Sequence, residues 1–348
     1  MDMVILGADL HKRWHTVVAV DGTTGRKLGE KTIRADPDGH LELRRWVQQF
    51  PERRWALEDC RHLSRRLEVD LLRSGEAVVR VPPKLMAGVR RSVREPGKSD
   101  PIDALAVAQA ALRHPDLPVA TLDGPERELR LLVDHRDDLV AERTRHIQRL
   151  RWHLLDLGID EPGPRSLDRA AVLVDLEARL AGRTEPAARL ARDILGRVHE
   201  LTAAIRPLER EIGALVATLA PTLLALPGCG SLTAAKIVGE AAGISRFRSK
   251  EAFARHNGSA PVPVWSGNVT RHRLSRGGNR QLNLALHRIA ITQMRIDERG
   301  RAYLEHRRSV GDTKTEAIRA LRRRVSDEVF RRLRLDEAAR VTSLAVAA

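Results

Sequence analysis

Residues 98–104 read KSDPIDA, and this stretch places Asp100 and Asp103 three residues apart where a helix is expected to begin. Pro101 suits the first turn of a helix, and the apolar run that starts at Ala104 continues it. Residues three apart share a helix face, so both carboxylates can point at one hard cation such as Mg²⁺. The alternative interpretation is an ordinary helix start, in which the acidic side chains stabilise the positive end of the helix dipole.

The hundred residues before this stretch alternate between strand and helix patterns. They predict strands at residues 3–7, 15–21 and 29–34, then a helix capped by Asp36 that begins at Pro37 and runs to about residue 49. A strand at 54–58, a helix at about 63–72 and a strand at 77–81 follow. Three strands followed by alternating helix and strand indicate an α/β domain with a mixed sheet and flanking helices.

Two further carboxylates lie at predicted strand ends, Asp9 after the first strand and Glu58 at the end of the fourth. Neighbouring strands run about 4.8 Å apart, so these side chains are close together if the two strands pair. With Asp100 and Asp103, four carboxylates would then converge. Each acidic residue alone is unremarkable, but four crowded carboxylates repel one another unless cations neutralise them.

Two long charged helices are predicted at residues 126–157 and 187–219, joined by a linker with some helix of its own. They are expected to form an antiparallel pair whose charged faces are solvated. Dimerisation through a coiled coil is the second interpretation, although the heptads are irregular.

Glycine and arginine mark two candidate phosphate-binding segments in the C-terminal part. Residues 227–230, PGCG, lie between apolar helical segments in a helix-hairpin-helix-like pattern, and Gly228 and Gly230 would let backbone amides approach a phosphate. A tight helix–helix corner that needs glycine is the alternative. A basic segment follows WSGN at residues 265–268 and is expected to bind phosphates through Arg271, Arg273, Arg276 and Arg280. The alternative is a basic loop that is only solvated.

Helices are expected from residue 282 to about 295 and from 315 to about 334, and the remaining tail carries no interpretable pattern.

Composition points to a polyanionic partner. The chain has 348 residues and a formal net charge of +15, from 61 Lys and Arg against 46 Asp and Glu. No apolar run approaches the roughly 20 residues of a membrane span, and no signal peptide is evident, so we expect a cytoplasmic protein with no membrane partner. Cys60 and Cys229 fit neither a disulfide framework nor a zinc site. The few aromatic residues argue against base stacking as the main mode of binding.

The motifs taken together resemble the IS110 family of insertion-sequence transposases, which are DEDD-type recombinases with a catalytic serine. The resemblance covers nearly the whole chain and rests on the order LGADLHK, ALEDC, KSDPIDA, LPGCGSLTAAKI, WSGN and LSRGGNRQLNLAL. It implies a RuvC-like, RNase H-like catalytic domain at residues 1–120, a helical coiled-coil connector at 121–219, a mostly α-helical transposase domain at 220–335 and a tail at 336–348.

The resemblance also implies the site residues. The DEDD tetrad falls on Asp9, Glu58, Asp100 and Asp103, and the nucleophilic serine on Ser266 of the SG dipeptide. Asp59 is an alternative to Glu58, and Ser275 is a second candidate nucleophile. A tyrosine recombinase is disfavoured, because its nucleophile could only be Tyr303.

The implied activity is excision and insertion of the chain's own element. Four carboxylates would hold about two Mg²⁺ ions, and the serine would attack the DNA phosphodiester. Implied partners are donor and target double-stranded DNA, a structured bridge RNA and further copies of the chain, as a dimer or tetramer associated with the nucleoid. Two alternatives remain open: a structure-selective nuclease that activates water, and a non-enzymatic architectural DNA-binding protein.

Overall fold

A computed structural model describes residues 3–59, 63–90, 99–120, 124–160, 163, 167, 169–266, 269–275 and 277–347. Cys60 and the predicted phosphate ligand Arg276 lie outside these residues. The chain divides into two compact units, the first comprising residues 1–124, 243–283 and 319–334, and the second comprising 125–242, 284–318 and 335–348. The domain boundaries at residues 120, 219 and 335 remain predictions.

The strands are β1 (Val4–Leu10), β2 (Trp14–Asp21), β3 (Lys27–Arg34), β4 (Arg53–Glu58), β5 (Val78–Val81), β6 (Pro261–Ser266) and β7 (Val269–Leu274). The helices are α1 (Pro37–Trp46), α2 (Arg65–Arg73), α3 (Pro83–Arg90), α4 (Asp100–Arg113), α5 (Pro125–Asp156), α6 (Ala170–Leu180), α7 (Pro186–Leu219), α8 (Pro221–Leu224), α9 (Ser231–Ala241), α10 (Lys250–His256), α11 (Arg280–Ile296), α12 (Glu298–Ser309) and α13 (Lys314–Ala347). A short 3₁₀ helix, Val47–Gln49, follows α1.

Strands β1 to β5 form one sheet in the order β3-β2-β1-β4-β5. β2 is antiparallel to β1 and β3, whereas β4 is parallel to both β1 and β5. The β2–β3 turn forms because Asp21 Oδ1 accepts a hydrogen bond from the Thr24 amide at 2.6 Å and Gly25 adopts a φ of +71°. The predicted mixed α/β sheet is confirmed, as is the mostly helical remainder.

The two faces of this sheet bury different side chains. Alternate β1 residues, Leu6, Ala8 and Leu10, join Trp55 in a core on one face. Ile5 of the same strand belongs to the core of the opposite face, which includes buried residues of α4 such as Val107. Because successive strand residues point to opposite faces, Gly7 and Asp9 lie on the α4 face with Ile5.

Helices α5 and α7 of the second unit run antiparallel, as the sequence predicts. Arg136 Nε of α5 donates to Glu209 Oε1 of α7 at 2.9 Å, and Arg197 Nη2 of α7 donates to Glu142 Oε1 of α5 at 2.8 Å. The partner numbers therefore rise on one helix as they fall on the other. The linker helix is α6. Dimerisation through these helices remains a prediction.

The C-terminal part differs from its predicted elements at the basic segment and at the end of the last helix. The basic segment around residues 265–274, predicted as a loop, is instead the hairpin β6–β7, in which Trp265 pairs with Thr270. Valine at alternate positions of β6 favours this extended backbone. Helix α13 continues past residue 334 to Ala347, where no element was predicted. The buried Asp336 carboxylate explains part of this extension, because it accepts hydrogen bonds from the Thr222 and Leu223 amides at 2.9 and 3.2 Å.

In the described part of the chain, no helix combines the length and the apolar character that crossing a lipid bilayer requires.

Candidate active site

Helix α4 lies unusually close to β1, and Gly7 is the reason. A Cβ atom at Gly7 would be 2.3 Å from the carbonyl oxygen of Ala104 and 2.5 Å from the amide nitrogen of Ala108. Only a glycine on the strand, opposite small residues on the helix, permits this approach. Asp9 follows Gly7 on the same face of the strand, so the close packing brings the start of α4 next to the Asp9 carboxylate.

Asp9, His11 and Asp100 form the polar cluster that results. His11 Nε2 lies 3.2 Å from Asp9 Oδ2 and 3.4 Å from Asp100 Oδ1. One ligand atom from each of the three residues lies within 4.8 Å of the other two. Asp9 is only 4% exposed, whereas His11 and Asp100 reach solvent, so the cluster is open on one side.

The electrostatics of the cluster are unfavourable to Asp9. Burial raises the pKa of the Asp9 carboxyl, the nearby His11 lowers it, and the charges of Asp103 and Asp100 raise it again, so that the pKa is higher than its ordinary value of 3.8. A buried carboxylate beside two others is poorly solvated and is repelled by them. A divalent cation would relieve both effects, so these oxygen donors fit a hard metal ion.

Asp103 belongs to the same region. It lies one helical turn after Asp100, is buried, and is close enough for its charge to act on Asp9. Three of the four predicted tetrad residues therefore lie in one region between β1 and α4, namely Asp9, Asp100 and Asp103.

Glu58 is the fourth predicted ligand, and it lies at the end of β4. β1 and β4 are parallel with Ala8 opposite Leu57, so Glu58 follows Leu57 as Asp9 follows Ala8. Ala56 belongs to the core on the α4 face, and alternation places Glu58 on that face too.

Asp59, the alternative to Glu58, is near a different partner. Burial alone would lower the pKa of Arg80, but the hydrogen bond to Glu68 and the charges of Glu68 and Asp59 raise it overall. Arg80 is opposite Leu57 in the β4–β5 pairing, and Leu57 faces the core away from α4. This position favours Glu58 over Asp59 as the fourth residue of the candidate metal site.

The predicted nucleophile Ser266 is the last residue of β6 and pairs with Val269 across the hairpin. Ser275 follows the end of β7 and is half-buried. Both serines belong to the first unit, which also contains the sheet and α4. Of the predicted phosphate ligands, Arg271 and Arg273 belong to β7, and Arg280 is the exposed first residue of α11.

Gly228 and Gly230 form the corner between α8 and α9. Gly228 has a φ of +82°, and a Cβ atom there would lie 3.1 Å from the Ile289 carbonyl oxygen and from Thr292 Cβ. Gly230 is the N-cap of α9. Backbone conformation and packing against α11 account for Gly228, which favours the helix–helix corner interpretation, and a phosphate contact at this turn remains a prediction.

His11 is the residue of this site that the sequence analysis did not single out. A signal was present, because His11 follows Asp9 by two residues in LGADLHK and strand alternation directs both side chains to one face. A histidine just beyond a strand end is common, however, and only the approach of α4 places it between two carboxylates.

Two family models match the chain, one for DEDD transposases of the IS110 type over residues 6–159 and one described as "Transposase IS116/IS110/IS902 family" over residues 220–305. A 44.8 kDa protein of insertion element IS116 from Streptomyces clavuligerus is 29% identical, and the alignment covers 96% of this chain and 95% of that protein. A 43.6 kDa protein of insertion element IS110 from Streptomyces coelicolor is 30% identical over 68% of this chain and 71% of that protein.

Among solved structures, Thermus thermophilus RuvC in complex with a Holliday junction substrate is 16% identical with a TM-score of 0.27, and the match covers 32% of this chain and 94% of RuvC. The matched models and relatives, together with the acidic cluster between β1 and α4, show that the chain belongs to the IS110 family of insertion-sequence transposases.

Proposed function

We propose that this transposase excises and inserts its element by Mg²⁺-assisted attack of the Ser266 hydroxyl on a DNA phosphodiester. The observation that carries the proposal is the convergence of Asp9, His11 and Asp100, whose ligand atoms lie within 4.8 Å of one another, beside the buried Asp103. In a chain of net charge +15, a cluster of carboxylates would repel a phosphate unless a metal ion were bound between them, so the cluster indicates a metal site.

Asp9, Glu58, Asp100 and Asp103 would hold the metal, and about two Mg²⁺ ions would balance their four negative charges. Bound Mg²⁺ supplies positive charge to the phosphate oxygens as negative charge develops there. Since Mg²⁺ prefers oxygen ligands, we assign His11 a positioning role. Its imidazole lies 3.2 Å from Asp9 and 3.4 Å from Asp100 and holds the two carboxylates next to each other.

Ser266 conserves the energy of the broken bond. Its Oγ forms a bond to phosphorus, the bond from phosphorus to the leaving sugar oxygen breaks, the serine proton passes to solvent and the leaving oxygen is protonated. The number of phosphoester bonds is unchanged, so the strand can be rejoined by the reverse attack. Arg271, Arg273, Arg276 and Arg280 would hold the backbone phosphates on either side.

The substrates in this proposal are donor and target double-stranded DNA, and a bridge RNA selects them by pairing. The chain acts as a dimer or tetramer, because several strands must be exchanged, in the cytoplasm and in association with the nucleoid. The net charge of +15 supports nucleic-acid partners in general.

A denaturing gel tests the serine mechanism. The full chain is incubated with Mg²⁺, its guide RNA and end-labelled duplex DNA that carries the element end. We expect a covalent protein–DNA species with the wild-type chain and with Ser275→Ala, and none with Ser266→Ala. If Ser266→Ala cleaves the DNA at the wild-type rate, the chain is a nuclease that activates water.

Asparagine and glutamine substitutions test the metal ligands. Asp103→Asn should bind DNA as the wild-type chain does and lose cleavage, whereas retained cleavage by this variant would show that Asp103 is not a required metal ligand. Glu58→Gln should lose activity and Asp59→Asn should retain most of it. The reverse result would assign the fourth ligand to Asp59.

A further inference from the structure

Asp116 is held by two arginines that lie more than a hundred residues further along the chain. Asp116 is in the loop after α4, Arg248 immediately precedes the N-cap residue of α10, and Arg255 is in the last turn of that helix. Arg248 Nη2 contacts Asp116 Oδ1, and Arg255 Nη2 lies 3.0 Å from Asp116 Oδ2. Each carboxylate oxygen therefore receives one guanidinium group.

This arrangement resembles the way two arginines bind a phosphate group, with one guanidinium on each of two oxygens. The Arg248 and Arg255 side chains are 65% and 60% exposed, whereas that of Asp116 is only 24% exposed. Ion pairs with such exposed arginines are weak in water, so a stronger ligand can displace the carboxylate. A phosphodiester of nucleic acid is such a ligand for two adjacent guanidinium groups.

The backbone that carries the two arginines is anchored by buried aromatic side chains. Phe247 and Phe253, neighbours of these arginines in sequence, are buried and contact each other edge to face with ring centroids 5.2 Å apart. Ser249 caps α10 by accepting a hydrogen bond from the Ala252 amide at 3.3 Å. The spacing between the arginines is therefore set by the buried side of the segment and persists when Asp116 is displaced.

The acidic partner is also fixed in place. The segment after Asp116 is bound to the edge of the sheet, because Val119 forms a bridge with Val79 and the Ala120 amide donates to the Val78 carbonyl at 2.7 Å. Asp116 therefore occupies the gap between the two arginines by the folding of the first unit alone.

We propose that Arg248 and Arg255 form one binding site for a backbone phosphate of DNA, and that Asp116 occupies this site in the free chain as an internal substitute for the phosphate. The partner is DNA because the chain is a transposase, and the site lies on the segment that leads into the β6–β7 hairpin. This inference concerns binding and does not depend on the chemistry at Ser266.

Fluorescence anisotropy with a short labelled DNA duplex measures the effect. Asp116→Asn removes the competing charge and should tighten binding by roughly 3- to 10-fold, because both arginines are then available. Arg248→Gln together with Arg255→Gln should weaken binding by roughly 10-fold and reduce the slope of log K against log salt by about 1. In that double variant, Asp116→Asn should have no further effect.

Asp38→Asn is the matched control, since Asp38 is an exposed acidic residue in the first turn of α1. A gain with Asp116→Asn that Asp38→Asn reproduces, or that persists without the two arginines, is a general charge effect and overturns the proposal. Tighter binding of an RNA duplex with no change for DNA overturns the assignment to DNA. If Asp116→Asn lowers the melting temperature, Asp116→Ser supplies the same test with a shorter neutral side chain.

Discussion

His15 makes the first unit sensitive to acid. It lies in β2 and is 2% exposed, and its ring stacks on His40 of α1 with centroids 5.6 Å apart. Burial, followed by the neighbouring His40, lowers the pKa of His15 from 6.5 to about 4. The neutral imidazole is therefore the form that the folded chain accommodates, whereas the unfolded chain binds a proton below about pH 6.5.

The sign and size of the effect follow from this difference. Between about pH 6.5 and about pH 4 the unfolded state binds more protons than the folded state, so the free energy of unfolding falls as the pH falls. A pKa of about 4 in place of 6.5 corresponds to about 3 kcal/mol. His15→Phe keeps a ring against His40 and removes the titration, so most of that dependence should disappear.

The assay is urea unfolding from about pH 7 to about pH 4.5, read by pulse-labelling hydrogen exchange in peptides from β1 and β2 so that the first unit is followed by itself. Wild-type and His15→Phe chains should differ in pH dependence by about 2 to 3 kcal/mol. His114→Gln, at an exposed position after α4, should retain the full wild-type dependence. Equal pH dependence in wild-type and His15→Phe chains would refute the reasoning.

Three further substitutions test the packing and charge of the same unit. Gly7→Val should separate α4 from β1, which should lower the free energy of unfolding by about 1 to 3 kcal/mol in urea titrations and weaken Mg²⁺ binding in calorimetry. Gly88→Ala is the control, because its new methyl group would have no neighbour, and it should change neither the unfolding free energy nor Mg²⁺ binding. Because the surroundings raise the pKa of Asp9, its negative charge opposes folding at neutral pH. Asp9→Asn should therefore raise the melting temperature of the metal-free chain and abolish the further rise that Mg²⁺ causes in the wild-type chain. A lower melting temperature of the metal-free variant would contradict this account. Glu76→Gln should lower the free energy of unfolding by about 2 to 3 kcal/mol in urea titrations, because it leaves the half-buried Arg53 guanidinium without its charged partner. An unchanged urea midpoint would show that the Arg53–Glu76 ion pair does not contribute to stability.

Much of the fold could be predicted from local patterns. Alternation in residues 15–21 predicted β2, and Asp36 followed by Pro37 predicted the start of α1. In the structure Asp36 is the N-cap and accepts a hydrogen bond from the Gly39 amide. The helices α3, α10 and α12 were not predicted. Half of the residues of helix α12 are charged and only Gly300 is buried, so the helix has no apolar stripe to recognise.

Some residues of the candidate site could likewise be predicted from local sequence patterns, and others could not. The sequence identified Asp100 and Asp103 as a pair, because a spacing of three residues is a property of one helix. It placed Glu58 in the tetrad by resemblance and left Asp59 as an alternative, because neighbouring residues at a strand end differ in the face they occupy, and the faces are distinguished by what packs on them. His11 became part of the site only when Gly7 allowed α4 to approach the strand.

By itself, the sequence determined the types and order of most elements, the charge that favours nucleic acid and the set of acidic residues, because periodicity, capping and composition act over a few residues at a time. Only the tertiary structure decided which distant residues meet: Asp9 with Asp100 through His11, Asp116 with Arg248 and Arg255, and Asp336 with the start of α8. These contacts depend on strand order and on how closely helices pack. Both are determined by all the buried side chains together, so no local spacing in the sequence reveals them.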